Sequence, residues 1–316
     1  MSDSNDKIDY ESIVQRLAFA AINEQRRSRR WRIFFILLFF AYITIVGIVL
    51  MDGGGGAGSL KVSDEGKHTA LVQMPGTIAI GEKAGAETVI AGLQAAFEHD
   101  ETLGVILEIN SPGGSPVQSS YIYDEIRRLR SEHESIPIYV VVSDIAASGG
   151  YFVAAAADRI YVNKSSLIGS IGVRMDNFGF VGLMEKLGVE RRLLTAGENK
   201  GLLDPFLPED AGQKAHLQIM LDEVHQHFID AVKQGRGDRL SHQANLFSGL
   251  IWTGEKAIEL GLVDEYGTTE SVARDIIKAE TVINFTPKGH LFDRIAERIG
   301  AGIGQQLKTF FVSSFE

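Results

Sequence analysis

The chain has 316 residues, 45% hydrophobic and 23% charged, which is enough for one large domain or two modest ones. It contains no cysteine, which excludes a disulfide framework, a thiolate metal site and a cysteine nucleophile. The net charge is −10, and beyond residue 32 the chain holds 24 basic and 36 acidic residues, or −12. This acidic main body argues against a nucleic-acid partner.

The first element predicted along the chain is a membrane span over residues 31–51. This stretch is apolar apart from Arg32 and Thr44, and about 20 apolar residues are needed to cross the hydrocarbon core. A buried core helix and a cleaved signal peptide are the alternatives; apolar residues on every face and a long preceding segment favour a retained span. Four arginines between positions 26 and 30 precede it, so the positive-inside rule predicts a cytoplasmic segment over residues 1–30. We therefore expect a single-pass protein of the plasma or inner membrane with an extracytoplasmic main domain.

Three further segments follow the predicted span. Residues 52–66 are expected to be a flexible linker, because the run DGGGGAGS can neither pack nor hold one conformation. The soluble domain is expected over residues 67–282. Residues 283–316 form a tail that is amphipathic from Leu291 to Phe315, and it could fold back, mediate oligomerisation or lie on the membrane surface.

The soluble domain alternates between apolar strands and helices. Strands are predicted over residues 68–74, 104–109 and 136–143, and helices over residues 86–99, 116–130 and 149–157. Apolar, β-branched strands separated by helices predict parallel pairing with helices on both faces, which is an α/β layered fold.

The second half of the domain is predicted to be mainly helical. A long helix is expected from Pro208 to about Gly235, with a stripe that packs in the core or against another subunit, formed by Leu217, Met220, Leu221, Val224, Phe228 and Val232. Residues 191–196 are predicted to be strand-like, and residues 254–261 and 271–279 to be helical.

Two glycine-rich turns follow the two most apolar strands, at the sheet edge where parallel α/β proteins bind ligands. The first is NSPGGS at residues 110–115. Pro112 fixes one torsion, and Gly113 and Gly114 permit backbone shapes that other residues do not tolerate. Such a turn can direct an amide N–H into a cleft, or it can be an ordinary connection between strand and helix.

The second turn is DIAASGGY at residues 144–151, with Ser148 at the start of a predicted helix. Amides at a helix N-terminus stabilise negative charge, so a serine there is suited to nucleophilic chemistry. Ser148 could instead be only a helix N-cap. The small residues on both sides favour the catalytic interpretation, because a cap does not require them whereas the close approach of a substrate backbone does.

A serine nucleophile needs a base. None of the eight histidines lies in a compact motif near either turn, and His225 and His227 are expected at the surface. Lysine can act as the base where burial disfavours its charged form, and Lys200, between Gly197 and Gly201, is the candidate. A lone lysine in a loop is more often solvated.

Taken in chain order, these segments resemble the signal peptide peptidase A family, the S49 serine peptidases with a Ser-Lys dyad, in its short membrane-anchored form. The likeness runs from about Leu71 to Gly267. It is carried by NSPGG at 110–114, AASGGY at 146–151, GSIGV at 169–173 and WTGEKAIELGLVD at 252–264. The resemblance implies a crotonase/Clp-like layered fold, with a parallel β-sheet and flanking helices, preceded by one N-terminal transmembrane helix.

The resemblance also implies roles for five residues. Ser148 is the nucleophile, Lys200 the general base and Ser170 the side chain that orients the lysine, while the amides of Gly114 and Gly149 form the oxyanion hole. The implied activity is a serine endopeptidase that hydrolyses signal peptides or other unfolded or membrane-derived peptides, without metal ion or organic cofactor. The implied partners are these peptides, membrane lipid around the N-terminal helix, and other copies of the chain in a ring-like homo-oligomer whose neighbouring subunits shape the cleft.

Three alternatives remain. A crotonase-type acyl-CoA enzyme also uses amides of glycine-rich turns, with carboxylates as acid and base. A Clp-type peptidase has similar turns but needs a histidine soon after the serine, and none lies between His133 and His216. A catalytically inactive membrane scaffold would keep the same fold.

Overall fold

The structure is a computed structural model that describes residues 26–27, 29–44, 66–243 and 245–287. The chain divides into two compact units, residues 1–62 and residues 63–316. In the first unit, residues 29–44 form a helix with exposed side chains. Within the described ranges, no helix has both the length and the apolar character required to cross a membrane. Residues 45–51 of the predicted span, most of the predicted linker and the tail from residue 288 lie outside the described residues.

The second unit is built on a sheet of eight strands. The strands are β1 (His68–Pro75), β2 (Thr102–Ser111), β3 (Ile138–Ala147), β4 (Arg159–Val162), β5 (Leu167–Gly169), β6 (Ile251–Thr253), β7 (Glu265–Tyr266) and β8 (Val282–Asn284). The main order is β6-β5-β3-β2-β1-β8, and β4 pairs with β3 and β7. Every pair is parallel except β5 with β6. The predicted α/β fold with a mostly parallel sheet is confirmed.

Helices connect the strands. They are α1 (Ala86–Glu98), α2 (Pro116–Glu132), α3 (Gly149–Ala154), α4 (Val181–Leu187), α5 (Ala211–Arg236), α6 (Gly254–Glu259) and α7 (Thr269–Ser271), which continues into a π-helix at Val272–Ile277. Local signals set two of the starts. The Ser115 hydroxyl accepts the amide of Gln118 and precedes Pro116 at the start of α2, and the Asp210 carboxylate accepts the amide of Gln213 at the start of α5.

Both faces of the sheet are covered, but unequally. Alternate residues of β2 point to opposite faces. Val105, Leu107 and Ile109 belong to the large core cluster with residues of α1, α2 and α3. Ile106 belongs to a smaller cluster that includes Val141, Tyr161, Val272, Ala273 and Ile277. The π-helix thus covers the second face, where the sequence predicts a regular helix over residues 271–279.

Strand β3 changes partner along its length, and this opens the sheet at the site. Its first part, from Tyr139 to Val142, pairs with β4, whereas Ile145 to Ala147 pair with β5. The turn after β3 also lies against the end of β2, because a Cβ placed on Gly150 would be 2.8 Å from the carbonyl oxygen of Ser111. The two glycine-rich turns therefore meet at the carboxyl edge of the sheet.

One long segment has no buried residue. Residues 174–223, here called the arm, comprise α4, the loops around it and the first half of α5. The predicted strand-like segment at 191–196 lies in the arm and forms an irregular, mostly exposed loop, so that prediction is wrong. The predicted stripe of α5 is buried only at its C-terminal end, where Phe228 and Val232 enter the core.

Candidate active site

Ser148 lies between β3 and α3 in a strained conformation. Its torsions are φ 52° and ψ −125°, a combination that is normally adopted by glycine and costs other residues about 1–3 kcal/mol. Although Ser148 occupies the N-cap position of α3, its side chain makes no capping hydrogen bond. The interpretation as a simple cap is therefore not supported, and the hydroxyl is left for another role.

The first glycine-rich turn is held by the segment that follows β1. The Ile78 N–H donates to the carbonyl oxygen of Gly113 at 2.9 Å, and the Ile78 carbonyl accepts the Ser115 amide at 2.8 Å. A Cβ on Gly114 would lie 2.1 Å from that same Ile78 oxygen. Gly114, at φ 156°, must therefore be glycine for the turn to sit this close to Ile78.

The amides of Gly114 and Gly149 are neighbours. A Cβ on Gly149 would be 3.3 Å from the Gly114 nitrogen, and a Cβ on Gly113 would be 2.7 Å from the Gly149 nitrogen. Among the described residues, no turn or loop hydrogen bond uses either N–H, whereas the Ser148 amide donates to the carbonyl oxygen of Gly169 at 2.8 Å. Two unused amides beside a nucleophile are what an oxyanion hole requires.

A cavity of about 730 Å³ joins these groups. Its lining includes Gly114, Ser148, Gly149 and Ser170, four of the five predicted site residues. Apolar side chains form part of its wall: Phe152, Val173, Val224 and Phe228. The cavity can thus hold an apolar side chain beside the reactive groups.

Ser170 is the second serine in a left-handed conformation, with φ 53°. Its N–H donates to the carbonyl oxygen of Leu250 at 2.7 Å, and the preceding Gly169 accepts the Ser148 amide. The segment with Ser170 is thereby tied directly to the backbone of Ser148. Both strained serines line one cavity, a concentration of strain that is typical of functional sites.

Lys200 does not lie with the other four residues. It is exposed in a turn of the arm, where its N–H donates to the carbonyl oxygen of Gly197 at 3.1 Å, and it does not line the cavity. Within one copy of the chain, the structure therefore does not bring Lys200 to Ser148. Its role as the base remains a prediction.

His225, interpreted from sequence as a surface residue, lines the cavity and is half-buried. Its Nε2 lies 3.1 Å from the carbonyl oxygen of Ile171. His227, two positions later, is exposed as expected. The contact with Ile171 spans 54 residues of sequence, so no local pattern could have revealed it.

Behind the site, Tyr151 anchors α3 in the core. The side chain is fully buried, and its hydroxyl donates to the carbonyl oxygen of Leu262 at 2.7 Å. Burial raises the pKa of Tyr151, so the phenol stays protonated and keeps this bond. The tyrosine of the AASGGY segment thus holds the helix that starts at Ser148.

Among the described residues that line the cavity there is no aspartate or glutamate, and the charged or ionisable side chains are those of Arg174 and His225. Within the part of the chain that the structure describes, no group of His, Asp and Glu side chains is arranged to hold a metal ion. The cavity therefore offers hydroxyls, backbone amides and the side chains of Arg174 and His225.

Two family models match the chain. The model of peptidase family S49 matches residues 130–282, and that of Clp protease matches residues 69–168. The first match contains Ser148, Ser170 and Lys200, and the second contains both glycine-rich turns. The second match also agrees with the observed sheet.

Similar proteins come from several organisms. The chain is 49% identical over 182 residues to the Na(+)/H(+) antiporter NhaA of Brucella abortus. These residues make up 58% of this chain and 25% of the antiporter. It is 32% identical over 199 residues to an Enterococcus faecium protein named signal peptide peptidase SppA, which is 63% of this chain and 57% of that protein. A Synechocystis protein with a protease name is 32% identical over 207 residues, 65% of this chain and 71% of that protein. The chain thus spans a quarter of the first relative and just over half of the second.

The fold and the paired turns define the site as one of Clp-like hydrolase architecture, with a serine at its centre. The chain belongs to peptidase family S49. The predicted membership of a family of serine peptidases is confirmed.

Proposed function

We propose that the protein is a membrane-anchored serine endopeptidase in which Ser148 is the nucleophile and Lys200 the general base. The observation that carries this proposal is the geometry of Ser148. A strained serine, with no capping bond to its side chain, lines a cavity together with the unused amides of Gly114 and Gly149. Family membership supports the same chemistry.

The proposed reaction is acyl transfer to Ser148. The Lys200 amine, in its neutral form, takes the hydroxyl proton as the oxygen attacks a peptide carbonyl carbon, and the carbonyl oxygen becomes an oxyanion that the Gly114 and Gly149 amides bind. Each such donor typically contributes about 3 kcal/mol of transition-state stabilisation. The intermediate then breaks the C–N bond, and the leaving amine takes the proton from the lysine. Water, deprotonated by the same lysine, hydrolyses the ester and regenerates Ser148.

In this proposal a neighbouring copy of the chain supplies Lys200. The arm that holds Lys200 has no buried residue, yet it exposes large apolar side chains: Phe178 (75%), Leu183 (55%), Leu187 (68%), Val189 (55%) and Leu194 (98%). Apolar surface of this extent is typical of interaction sites. A head-to-tail contact in which each arm reaches the next copy would generate a closed ring and would place a lysine at every cavity.

The proposed substrates are signal peptides or other unfolded, membrane-derived peptides. The apolar wall of the cavity suits apolar side chains, and a relative is named for signal peptides. A span over residues 31–51 would keep the peptidase beside such substrates. If that span is present, the full chain stays in the membrane fraction after alkaline carbonate extraction, whereas a chain that begins after residue 51 does not.

Two other functions are compatible with this fold but fit the site less well. A crotonase-type acyl-CoA enzyme relies on carboxylates, and no described carboxylate lines the cavity. A catalytically inactive scaffold would not need the strain at Ser148 and Ser170.

Labelling with a fluorophosphonate, which reacts with activated serines, tests the proposal. The detergent-solubilised full chain is treated with the reagent, and the modified residue is identified by mass spectrometry. We expect modification at Ser148 and hydrolysis of a signal-peptide substrate by the parent, with both lost in Ser148→Ala. A folded parent that is neither labelled nor active would favour the scaffold.

A further inference from the structure

We propose that His225 is a positioning residue that holds the Ser170 segment in its working conformation. This inference rests on the proposed function, because it assigns a role within the same site. Nothing in the local sequence indicates the role; it emerges from one contact between α5 and the segment that follows β5.

The hydrogen bond of His225 has a defined direction. Its Nε2 is 3.1 Å from the carbonyl oxygen of Ile171, and a carbonyl oxygen can only accept. The histidine therefore carries a proton on Nε2 and donates it.

Ile171 directly follows Ser170, and the three residues 169–171 are fixed at three points. The Gly169 carbonyl accepts the Ser148 amide at 2.8 Å, the Ser170 amide donates to Leu250 at 2.7 Å, and the Ile171 carbonyl accepts from His225 at 3.1 Å. The first bond links the segment to the nucleophile, and the third links it to α5.

The strained backbone of Ser170 explains why such a link is needed. A serine at φ 53° relaxes to another conformation unless its neighbours prevent it. The buried side chain of Ile171 fixes this residue in the core, and His225 fixes its carbonyl, which belongs to the peptide that joins residues 171 and 172. Without the histidine, the Ile171 carbonyl would lose its side-chain donor in α5, and this peptide, one residue after Ser170, could rotate.

The position of His225 along α5 gives the bond a second consequence. No residue of α5 before His225 is buried, whereas Phe228, Ala231 and Val232 after it are. His225 thus lies where the arm meets the body of the domain. Its hydrogen bond therefore couples the position of the arm on the domain to the conformation of Ser170.

Three substitutions in the full chain test this role. His225→Leu replaces the imidazole with an apolar side chain of similar size and so removes the donor. His225→Gln supplies an N–H donor that cannot act as a base. His227→Leu is the matched control, because this histidine is exposed on the same helix. The measurements are kcat and KM for peptide hydrolysis, and amide hydrogen exchange across residues 167–173.

We expect kcat to fall about fivefold in His225→Leu with KM unchanged, which is the effect of losing one neutral hydrogen bond. Exchange across 167–173 should become faster in the same variant, while His225→Gln and His227→Leu should resemble the parent in both measurements. Parental kcat and exchange in His225→Leu would overturn the inference. So would a His225→Gln variant as slow as His225→Leu, since this result indicates a base rather than a donor.

The test separates this inference from the proposed function. If the parent does not hydrolyse peptides, the proposed function fails, but hydrogen exchange still decides whether His225 holds residues 169–171. If the parent hydrolyses peptides and His225→Leu is unaffected, only the role of His225 is rejected.

Discussion

The backbone strain at Ser148, the proposed nucleophile, can be measured. Its φ of 52° and ψ of −125° suit glycine, so Ser148→Gly should relieve about 1–3 kcal/mol of strain in the folded state. Glycine also gives the unfolded chain more conformational freedom, which lowers the stability of the folded state by a smaller amount, roughly 0.4–1 kcal/mol. Ser148→Ala keeps the strain. We therefore expect Ser148→Gly to melt about 2–4 °C above Ser148→Ala, with both variants inactive. Equal melting temperatures by calorimetry would show that Ser148 is not strained.

Gly114 tests the oxyanion hole. In Gly114→Ala the new Cβ would lie 2.1 Å from the Ile78 carbonyl oxygen, so the turn must move and its amide must leave the position beside Gly149. Peptide hydrolysis should fall about 10²–10³-fold, as expected for the loss of one donor. Ser135→Ala, at an exposed position after α2 and outside the arm, is the control and should keep parental activity. An active, folded Gly114→Ala would contradict the assigned role.

Asp264 supports the domain through an ion pair with Arg236. Burial alone would raise the pKa of Asp264, but hydrogen bonds from Arg236 and the amide of Ile160, with the nearby positive charges, hold it below its ordinary value of 3.8. This carboxylate therefore contributes stability that is fully present above pH 3.8 and is lost as the pH falls through the lower, folded value. Its partner Arg236 is 2% exposed.

Asp264→Asn leaves that arginine buried without its counter-charge. We expect a loss of about 3–5 kcal/mol of unfolding free energy at neutral pH. Denaturant titrations should also show a weaker dependence on acid pH than in the parent. A variant as stable as the parent at neutral pH would contradict this account.

At the scale of elements, the sequence is most informative where burial is complete. The first three strands and α1 to α3 lie within a few residues of their predicted positions, because all-apolar strands and glycine-rich turns are local signals. The loops of the arm were not predictable in this way, although its part of α5 was. The apolar residues at 191–196 resemble a strand, but they form an irregular, mostly exposed loop.

The candidate site also contains features that could be predicted from sequence and one that could not. The two glycine-rich turns could be predicted from sequence, because small residues at the ends of strands form a compact pattern, and the family resemblance singled out Gly114 and Gly149 within them. His225 could not, since its contact depends on how α5 packs against a distant segment.

The exposed arm leads to a prediction about assembly. Phe178 is 75% exposed and Leu194 is 98% exposed. Replacing either residue with serine therefore should not destabilise a single subunit. Both should shift the full chain to smaller assemblies in sedimentation velocity and reduce hydrolysis in parallel. Ile276→Ser, at an exposed residue of the π-helix outside the arm, is the control. Unchanged assembly in both arm variants would argue against the arm as the subunit contact.

At the scale of the whole molecule, the proposed reaction needs more than one copy of the chain. The cavity of one chain contains Ser148, Ser170 and the amides of Gly114 and Gly149, while Lys200 is exposed on the arm. Under the proposed mechanism a single subunit lacks the base, and its activity should depend on protein concentration. Assembly would thereby confine hydrolysis to complete rings.

The most direct test is to assemble Ser148→Ala and Lys200→Ala together and measure peptide hydrolysis. Each variant alone should be inactive. If neighbouring subunits share the site, an equal mixture should regain about one quarter of parental activity, the fraction of random neighbour pairs that unite an intact Ser148 with an intact Lys200. A mixture as inactive as its components, or a fully active Lys200→Ala, would contradict the account.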